Sequence, residues 1–463
     1  MNRASPRIAL GALAMLLALA WIIALRDTWR LDLIAYALAA LILSLDVADL
    51  LLRLYRRRGP RSFGGGANTT IAIGADPAVP FNAVHMPLRP YALVLSVHNL
   101  ESTMDEFLAW ALVHKERMWL VDDCSTDNTA LRLRAAGMRC FSLTANVKKP
   151  AALRQLLPRL PAEIHTVVVM DPDSDVRAET GGWRTVEACL LDFQRSGAAA
   201  FCPRITIEGD TVLESMQRIE YMLGFCFGRR SLGDFCTAAG LAIYRRDALA
   251  SALDGHSLSV YAEDLENTLH LLGRGERIYY DDRIFAVTHA PRTLASWFSQ
   301  RVGWYFGLTK VYVERWRDIW TIARRGPFAF YQYVVYLGIF GLLLLPLRVA
   351  SGVVLTLSLV QGLDSIVGIA LLPDIDATNP LLFTVVYLKY LALALFSVAL
   401  AADRRERRVL LPLAPIYFFY VLVQLIPAAV GCCNWLTVRL HGRRLYDDHY
   451  DIDPRRNWAR NPA

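Results

Sequence analysis

The distribution of apolar residues limits what this chain can fold into more than any other feature. Ile8 to Leu25 contains no charged residue, and a second apolar run follows from about Leu33 to Leu52. Further stretches lie near Phe328–Leu345, Val353–Leu372, Leu381–Ala401 and Val409–Val430. A helix needs about 20 apolar residues to cross the hydrocarbon core, so each is a candidate span. Between them the sequence is that of a globular domain, and 54% hydrophobic residues with a mean hydropathy of +0.30 fit such a mixture. The expected divisions of the 463 residues are two N-terminal transmembrane helices over 1–58, a Gly/Pro-rich linker over 59–90 and a soluble domain over 91–292. Amphipathic interfacial helices over 293–325, three or four spans over 326–435 and a polar tail over 436–463 complete them. No small-residue cleavage site precedes the second span, so the first reads as an anchor.

Charge placement gives the orientation. Arg53, Arg56, Arg57, Arg58 and Arg61 follow the second span, and Arg3 and Arg7 precede the first. Cationic flanks stay on the cytoplasmic side. The chain is therefore expected to be a multi-pass protein of the plasma or inner membrane with its soluble domain in the cytoplasm. The net charge of +7 is absorbed by these topology signals, which excludes nucleic acid as a partner. Asp46 and Asp49 in the second span should face protein or headgroups, because a carboxylate in lipid is costly. At the C-terminal end the signals conflict. Four crossings place the run Asp403–Arg408 outside, and three place it inside but export the tail. Trp297, Trp304, Tyr305, Tyr312, Trp316 and Trp320 suit the headgroup layer, where aromatic rings bury an apolar body and wet a polar edge. Eight cysteines contain no CxxC pair and read as reduced, packed thiols.

Within the soluble domain, ALVLSV, MWLVDD, MRCFSL and TVVVMDPD read as buried strands ending in polar residues. ESTMDEFLAWALVHKE and STDNTALRLRAAG between them read as helices. That alternation predicts an α/β domain with a mainly parallel, Rossmann-like sheet covered on both faces. Ligands bind beyond the carboxyl ends of such strands, where Asp122, Asp123, Asp171 and Asp173 all fall.

Two acidic strand ends carry the chemistry. In VDDCSTDNT, the pair Asp122-Asp123 can accept hydrogen bonds from a nucleobase or ribose. Capping of the next helix accounts for part of Ser125 to Asn128, but not for two consecutive aspartates. In DPDSD, Asp171 and Asp173 can hold Mg²⁺ or Mn²⁺, which prefer oxygen ligands and share them with diphosphates. His289, in the THAP sequence before the aromatic segment, is a further metal-ligand candidate, although a lone histidine at a strand end is more often structural.

With these motifs in order along the chain, the region from Tyr91 to Gly307 resembles the family-2 glycosyltransferases of GT-A fold. It is most similar to their membrane-bound processive synthases of the cellulose, chitin and hyaluronan type. LVLSVHNLEST resembles the family's opening strand and loop, with His98-Asn99 in place of its Tyr-Asn-Glu-like turn, and VDDCSTDNT has Cys124 where the family has glycine. The resemblance implies a nucleotide-sugar site built from His98, Asn99, Asp122, Asp123, Lys149 and Asp171, and a metal on Asp171 and Asp173. AAGLAIYRRDAL resembles the segment beside the acceptor, and Glu263-Asp264 the pair whose aspartate is the general base. Gln300-Arg301-Val302-Gly303-Trp304 is similar to the family's Gln-x-x-Arg-Trp, which contacts donor diphosphate and acceptor sugar, but glycine stands at the arginine position. Gln300, Trp304 and, as a substitute cation, Arg301 are the implied residues there.

The implied activity is metal-dependent, inverting hexosyl transfer from a nucleotide-sugar, UDP being the family's commonest carrier, onto a growing polysaccharide. Export through the chain's own helices, membrane lipid and export or assembly proteins as partners complete that expectation. Addition of a single sugar to a lipid carrier or glycolipid is the alternative, which the missing arginine favours. Intact Asp171, Asp173 and Asp264 argue against a non-catalytic scaffold.

Overall fold

The computed structural model describes residues 87–178, 181–238, 240–257, 261–367 and 380–446. The two expected N-terminal spans, nearly all of the linker and the end of the tail lie outside the described residues. Eight strands form one sheet in the order β3-β2-β1-β4-β7-β6-β8-β5. They are β1 (Tyr91–Val97), β2 (Met118–Asp122), β3 (Cys140–Ser142), β4 (Thr166–Met170), β5 (Asp175–Ala178), β6 (Ala200–Glu208), β7 (Ala242–Arg245) and β8 (Ile278–His289). β7 and β5 oppose the other six, so the sheet is mixed but mainly of one direction and Rossmann-like. The four strands expected from their apolar runs are β1 to β4.

Strand alternation sends successive side chains to opposite faces, and each face has its own core. Ala92, Val94, Val167 and Val169 meet α3 (Lys148–Leu156), α6 (Arg246–Asp254) and α7 (Glu263–Gly273). Leu93, Leu95, Val168 and Met170 meet α1 (Met104–Ala111), α2 (Thr129–Ala135) and α4 (Trp183–Ser196). α5 (Val212–Tyr221) opens with a capping box, Thr211 and Glu214 satisfying each other's backbone N–H groups.

Beyond the domain lie α8 (Leu294–Glu314), α9 (Trp316–Ala323), α10 (Leu345–Val367), α11 (Pro380–Ala401) and α12 (Tyr417–His441). Among the described residues, Phe383–Ala401 and Arg404–His441 are long and apolar enough to cross a membrane. The first two expected C-terminal stretches form instead a pair, Pro327–Leu343 and Leu345–Leu357, bent by 55°, which makes a third span only if its halves count as one. The aromatic segment divides as well. Trp297 and Tyr312 are buried within the protein, whereas Trp316 and Trp320 of α9 are 58% and 45% exposed. Only these last two stand out at the surface as an interfacial anchor would.

α8 approaches its neighbours closely because it carries glycine at the contacts. A Cβ on Gly303 would lie 2.4 Å from the Tyr261 ring, and one on Gly307 2.8 Å from the Tyr261 backbone. On the other side, a Cβ on Gly431 of α12 would lie 2.5 Å from the Val302 carbonyl oxygen. Glycine lets α8 sit wedged between the segment ahead of α7 and α12.

Candidate active site

The loops after β1 and β2 are stapled to each other. Asn99 takes a left-handed backbone (φ 54°), and its side-chain oxygen accepts the Thr126 N–H at 2.8 Å. Its own N–H donates to Ser125 Oγ at 2.9 Å. Asp122 accepts the Ser125 N–H at 3.1 Å, and Asp123 accepts the N–H groups of Val147 and Lys148 at 2.7 and 2.8 Å. Both aspartates are 3% exposed, so the acidic pair's visible work is to shape the rim of a cleft. His98 lies on the same rim, with Nδ1 2.9 Å from the Asp123 carbonyl and Nε2 2.9 Å from Asn99 Nδ2. Cys124 adopts φ 59°, a left-handed region that is costly for a residue with a side chain and that favours glycine.

Asp123 also delivers the next piece. By holding Val147 and Lys148 it starts α3 so that Lys149 points inward, its Nζ 2.5 Å from Asp171 Oδ1 and 3.3 Å from Glu263 Oε1. Burial alone would lower the Lys149 pKa. The carboxylates of Asp171 and Glu263 more than reverse that, so the ammonium stays charged well above its ordinary range. Glu263 and Asp264 open α7, launched by Ala262 in a left-handed conformation (φ 57°). Backbone held there by its surroundings costs about 1–3 kcal/mol and concentrates at functional sites. Asp264 Oδ2 accepts the Gly240 N–H at 3.2 Å, and Oδ1 accepts its neighbour Leu265's at 2.7 Å. Gly240 belongs to the segment expected beside the acceptor. Burial raises the Asp264 pKa against the opposing charge of Lys149, and burial brings Glu263 up to about 7.

Asp173 stands across from this group and accepts the Thr288 hydroxyl of β8 at 2.9 Å. Burial, then the charge of Asp171, pushes its pKa up to about 6, and the charge of His289 works in the opposite direction. Lys149, Asp171, Asp173, Glu263 and Asp264, from three distant parts of the chain, are thus linked by ion pairs and by charge at the strand ends.

Gln300, Arg301 and Trp304 divide differently. Arg301 is 1% exposed, its two terminal nitrogens each 2.8 Å from Glu220 of α5. Tyr420 and Gln424 of α12 donate to the same carboxylate at 2.5 and 2.9 Å. Arg301 therefore ties α5, α8 and α12 together, which conflicts with its expected place as substitute diphosphate ligand. Trp304 lies under its guanidinium, 4.1 Å from ring centre to Cζ. Gln300 keeps a buried side-chain oxygen with no hydrogen-bond partner among the described residues. The sequence reading missed Tyr261, Thr288 and Glu220. Tyr261 alone left a trace, since something must fill the space opposite a glycine at position 303.

Among the described residues no three His, Cys, Asp or Glu side chains are gathered closely enough to hold a metal by themselves. Asp171 and Asp173 offer only oxygen, and burial, then the charge of Asp171, raises the Asp173 pKa. Such a two-carboxylate set fits Mg²⁺ or Mn²⁺, which commonly keep waters and take the remaining ligands from substrate phosphates.

No family model matches the chain, and no curated protein matches it. Among solved structures it is similar to glucosyl-3-phosphoglycerate synthase from Mycobacterium tuberculosis in complex with Mn²⁺ and UDP-glucose, at 19% identity over 44% of this chain and 73% of that one, with a TM-score of 0.31. Mannosyl-3-phosphoglycerate synthase from Rubrobacter xylanophilus is similar at 15% identity over 50% and 75%, TM-score 0.31. GalNAc-T7 with UDP, GalNAc and Mn²⁺ is similar at 12% identity over 44% and 43%, TM-score 0.32.

Proposed function

We propose that this chain is a membrane-integrated, metal-dependent, inverting glycosyltransferase of the GT-A, family-2 kind. It moves a sugar from a nucleotide-sugar, UDP-linked in the first instance, onto a growing polysaccharide. The observation that carries this reading is the convergence of Lys149, Asp171, Asp173, Glu263 and Asp264 on one cleft, with the order of motifs that the sequence resemblance requires. Asp264 accepts the proton of an acceptor hydroxyl, and its raised pKa makes it a better base than an ordinary aspartate. The freed oxygen forms a bond to the anomeric carbon as the bond from that carbon to the diphosphate breaks on the opposite face. Lys149 holds Asp171 and Glu263 in place and keeps positive charge near the departing diphosphate. A divalent ion on Asp171 and Asp173 would neutralise charge on that leaving group.

The second reading, addition of one sugar to a lipid carrier or glycolipid, is favoured by one observation. The Tyr261 ring occupies the space in front of Gly303, where the family's synthases carry arginine. Membranes containing the protein, supplied with radiolabelled UDP- and GDP-sugars, separate the two by product size. A polymer is expected, and a product fixed at one sugar on lipid would overturn the first reading in favour of the second. Asp264→Asn should lower turnover by about 10²–10⁴-fold. A fully active Asp264→Asn protein would remove the assigned base.

A further inference from the structure

We infer that Thr288, at the end of β8, is a positioning residue that orients Asp173 toward the divalent ion. This rests on the proposed metal site at Asp171 and Asp173, and deepens it. β4 and β5 are not neighbours in the sheet, so the chain passes from one to the other within the short segment Asp171–Ser174. The Ser174 N–H donates to the Asp171 carbonyl at 3.0 Å and folds that segment into a turn. A turn fixes the backbone but leaves each carboxyl group its own side-chain rotations.

Thr288 is placed by the sheet instead. Asp175, which opens β5, pairs with Val287, and Ile207 of β6 pairs with Thr288. β8 is thus held from both sides where its last residues meet the turn. Side chains alternate along a strand, so Thr288 shares a face with Ala286 and Ile284, which are buried in one core cluster with Val176. A β-branched residue has few χ1 choices, and the hydroxyl therefore arrives at the strand end already aimed. It donates to Asp173 Oδ2 at 2.9 Å, across 115 positions of sequence.

The two ligand carboxylates are then treated alike. Lys149 Nζ holds Asp171 Oδ1 at 2.5 Å, and Thr288 Oγ1 holds Asp173 Oδ2. A neutral hydroxyl can hold a carboxylate beside a cation site without repelling the ion, which a second ammonium would do. It fixes the plane of the group and engages one oxygen, which assigns the metal the other. Donors behind a ligating group typically govern metal affinity by about 10–100-fold. A hydroxyl that only joined the strand to the turn would act on stability alone.

The experiment titrates Mn²⁺ alone into the full-length protein in detergent and follows the free ion by its paramagnetic resonance signal. Wild type is compared with Thr288→Val, which keeps the β-branched shape without the donor, and Thr288→Ser, which keeps the donor without the methyl group. Thr288→Val should weaken Mn²⁺ binding by roughly tenfold or more, and Thr288→Ser should stay within about threefold of wild type. Thermal unfolding of the metal-free proteins is measured beside it, and Thr288→Ala replaces Thr288→Val should the latter not fold. An unchanged Mn²⁺ affinity without the donor, whatever the unfolding temperature, would overturn the role and leave the hydroxyl a strand tie. Equal losses in Thr288→Ser and Thr288→Val would overturn it too, because serine keeps the bond. A wild type that binds no Mn²⁺ would instead overturn the metal site beneath it.

Discussion

Asp173 and Glu263 hold their protons to higher pH than ordinary carboxyl groups, at about 6 and about 7, mainly because the cleft buries them. The unfolded chain releases the same protons near pH 4. The contribution to stability is therefore fully present below the unfolded values and is lost as pH rises through about 6 and then about 7. A divalent ion at Asp171 and Asp173 competes with the Asp173 proton. Its apparent affinity should rise about tenfold per pH unit towards about 6 and level off above. Mn²⁺ titration of the ligand-free protein between pH 5 and 8 checks this, and a flat affinity would show that Asp173 is not a ligand. The acid limb of kcat/KM should lie above the ordinary aspartate range, since burial raises the pKa of Asp264 and the base must be ionised. Cys124 belongs to the same scale. Its φ of 59° holds a side chain in the left-handed region, at a cost in backbone strain.

Helix packing around position 303 explains a departure that looked like damage. Adjacent helix positions differ by about 100°, so Arg301 and Gly303 face nearly opposite ways. Arg301 turns to Glu220, and Gly303 turns to Tyr261. Gly303→Ala should lower stability by about 1–3 kcal/mol through overpacking, and Gly303→Arg by more. In a Tyr261→Ala background the Gly303→Ala penalty should shrink, because the clashing ring is gone. Thermal unfolding of the four proteins in detergent measures this coupling, and equal penalties in both backgrounds would sink the packing account. What was legible beforehand follows from the same physics. β1 to β4 announced themselves as apolar runs ending in polar residues, β2 and β4 in acid, and the acidic residues of the cleft sit on those two ends or on a helix start. β7 and β5, at four residues each, are too short to carry a period, and their antiparallel pairing is set by distant strands. The bond from Arg301 to Glu220 joins residues 81 apart, and no local pattern encodes it.

At the scale of the whole molecule, the opposing charge signals near the C-terminus are to be weighed against what each end touches. Ala402 and Leu410, which flank the run Asp403–Arg408, are buried in one cluster with Met216 and Ile219 of α5 and Trp297 of α8. The tail reaches Ser299 and the Tyr261 ring. The charged corner and the tail thus both lie with the catalytic domain. That arrangement satisfies the rule that arginines stay inside, and it requires an even number of crossings before the corner. Crossing out and back by the bent pair and α11 would meet it. α12, although apolar enough to span, lies along α8 with Gly431 against the Val302 carbonyl, and on this arrangement would add no net crossing. Cysteines introduced by Arg405→Cys and Arg443→Cys should therefore resist a membrane-impermeant maleimide in intact cells, above the wild-type background from exposed Cys433. After permeabilisation both should label, as should one at Glu116→Cys on the domain surface. Labelling of Arg443→Cys in intact cells would mean that α12 crosses. The tail would then lie across the membrane from the catalytic domain, against the contact of Tyr446 with Ser299.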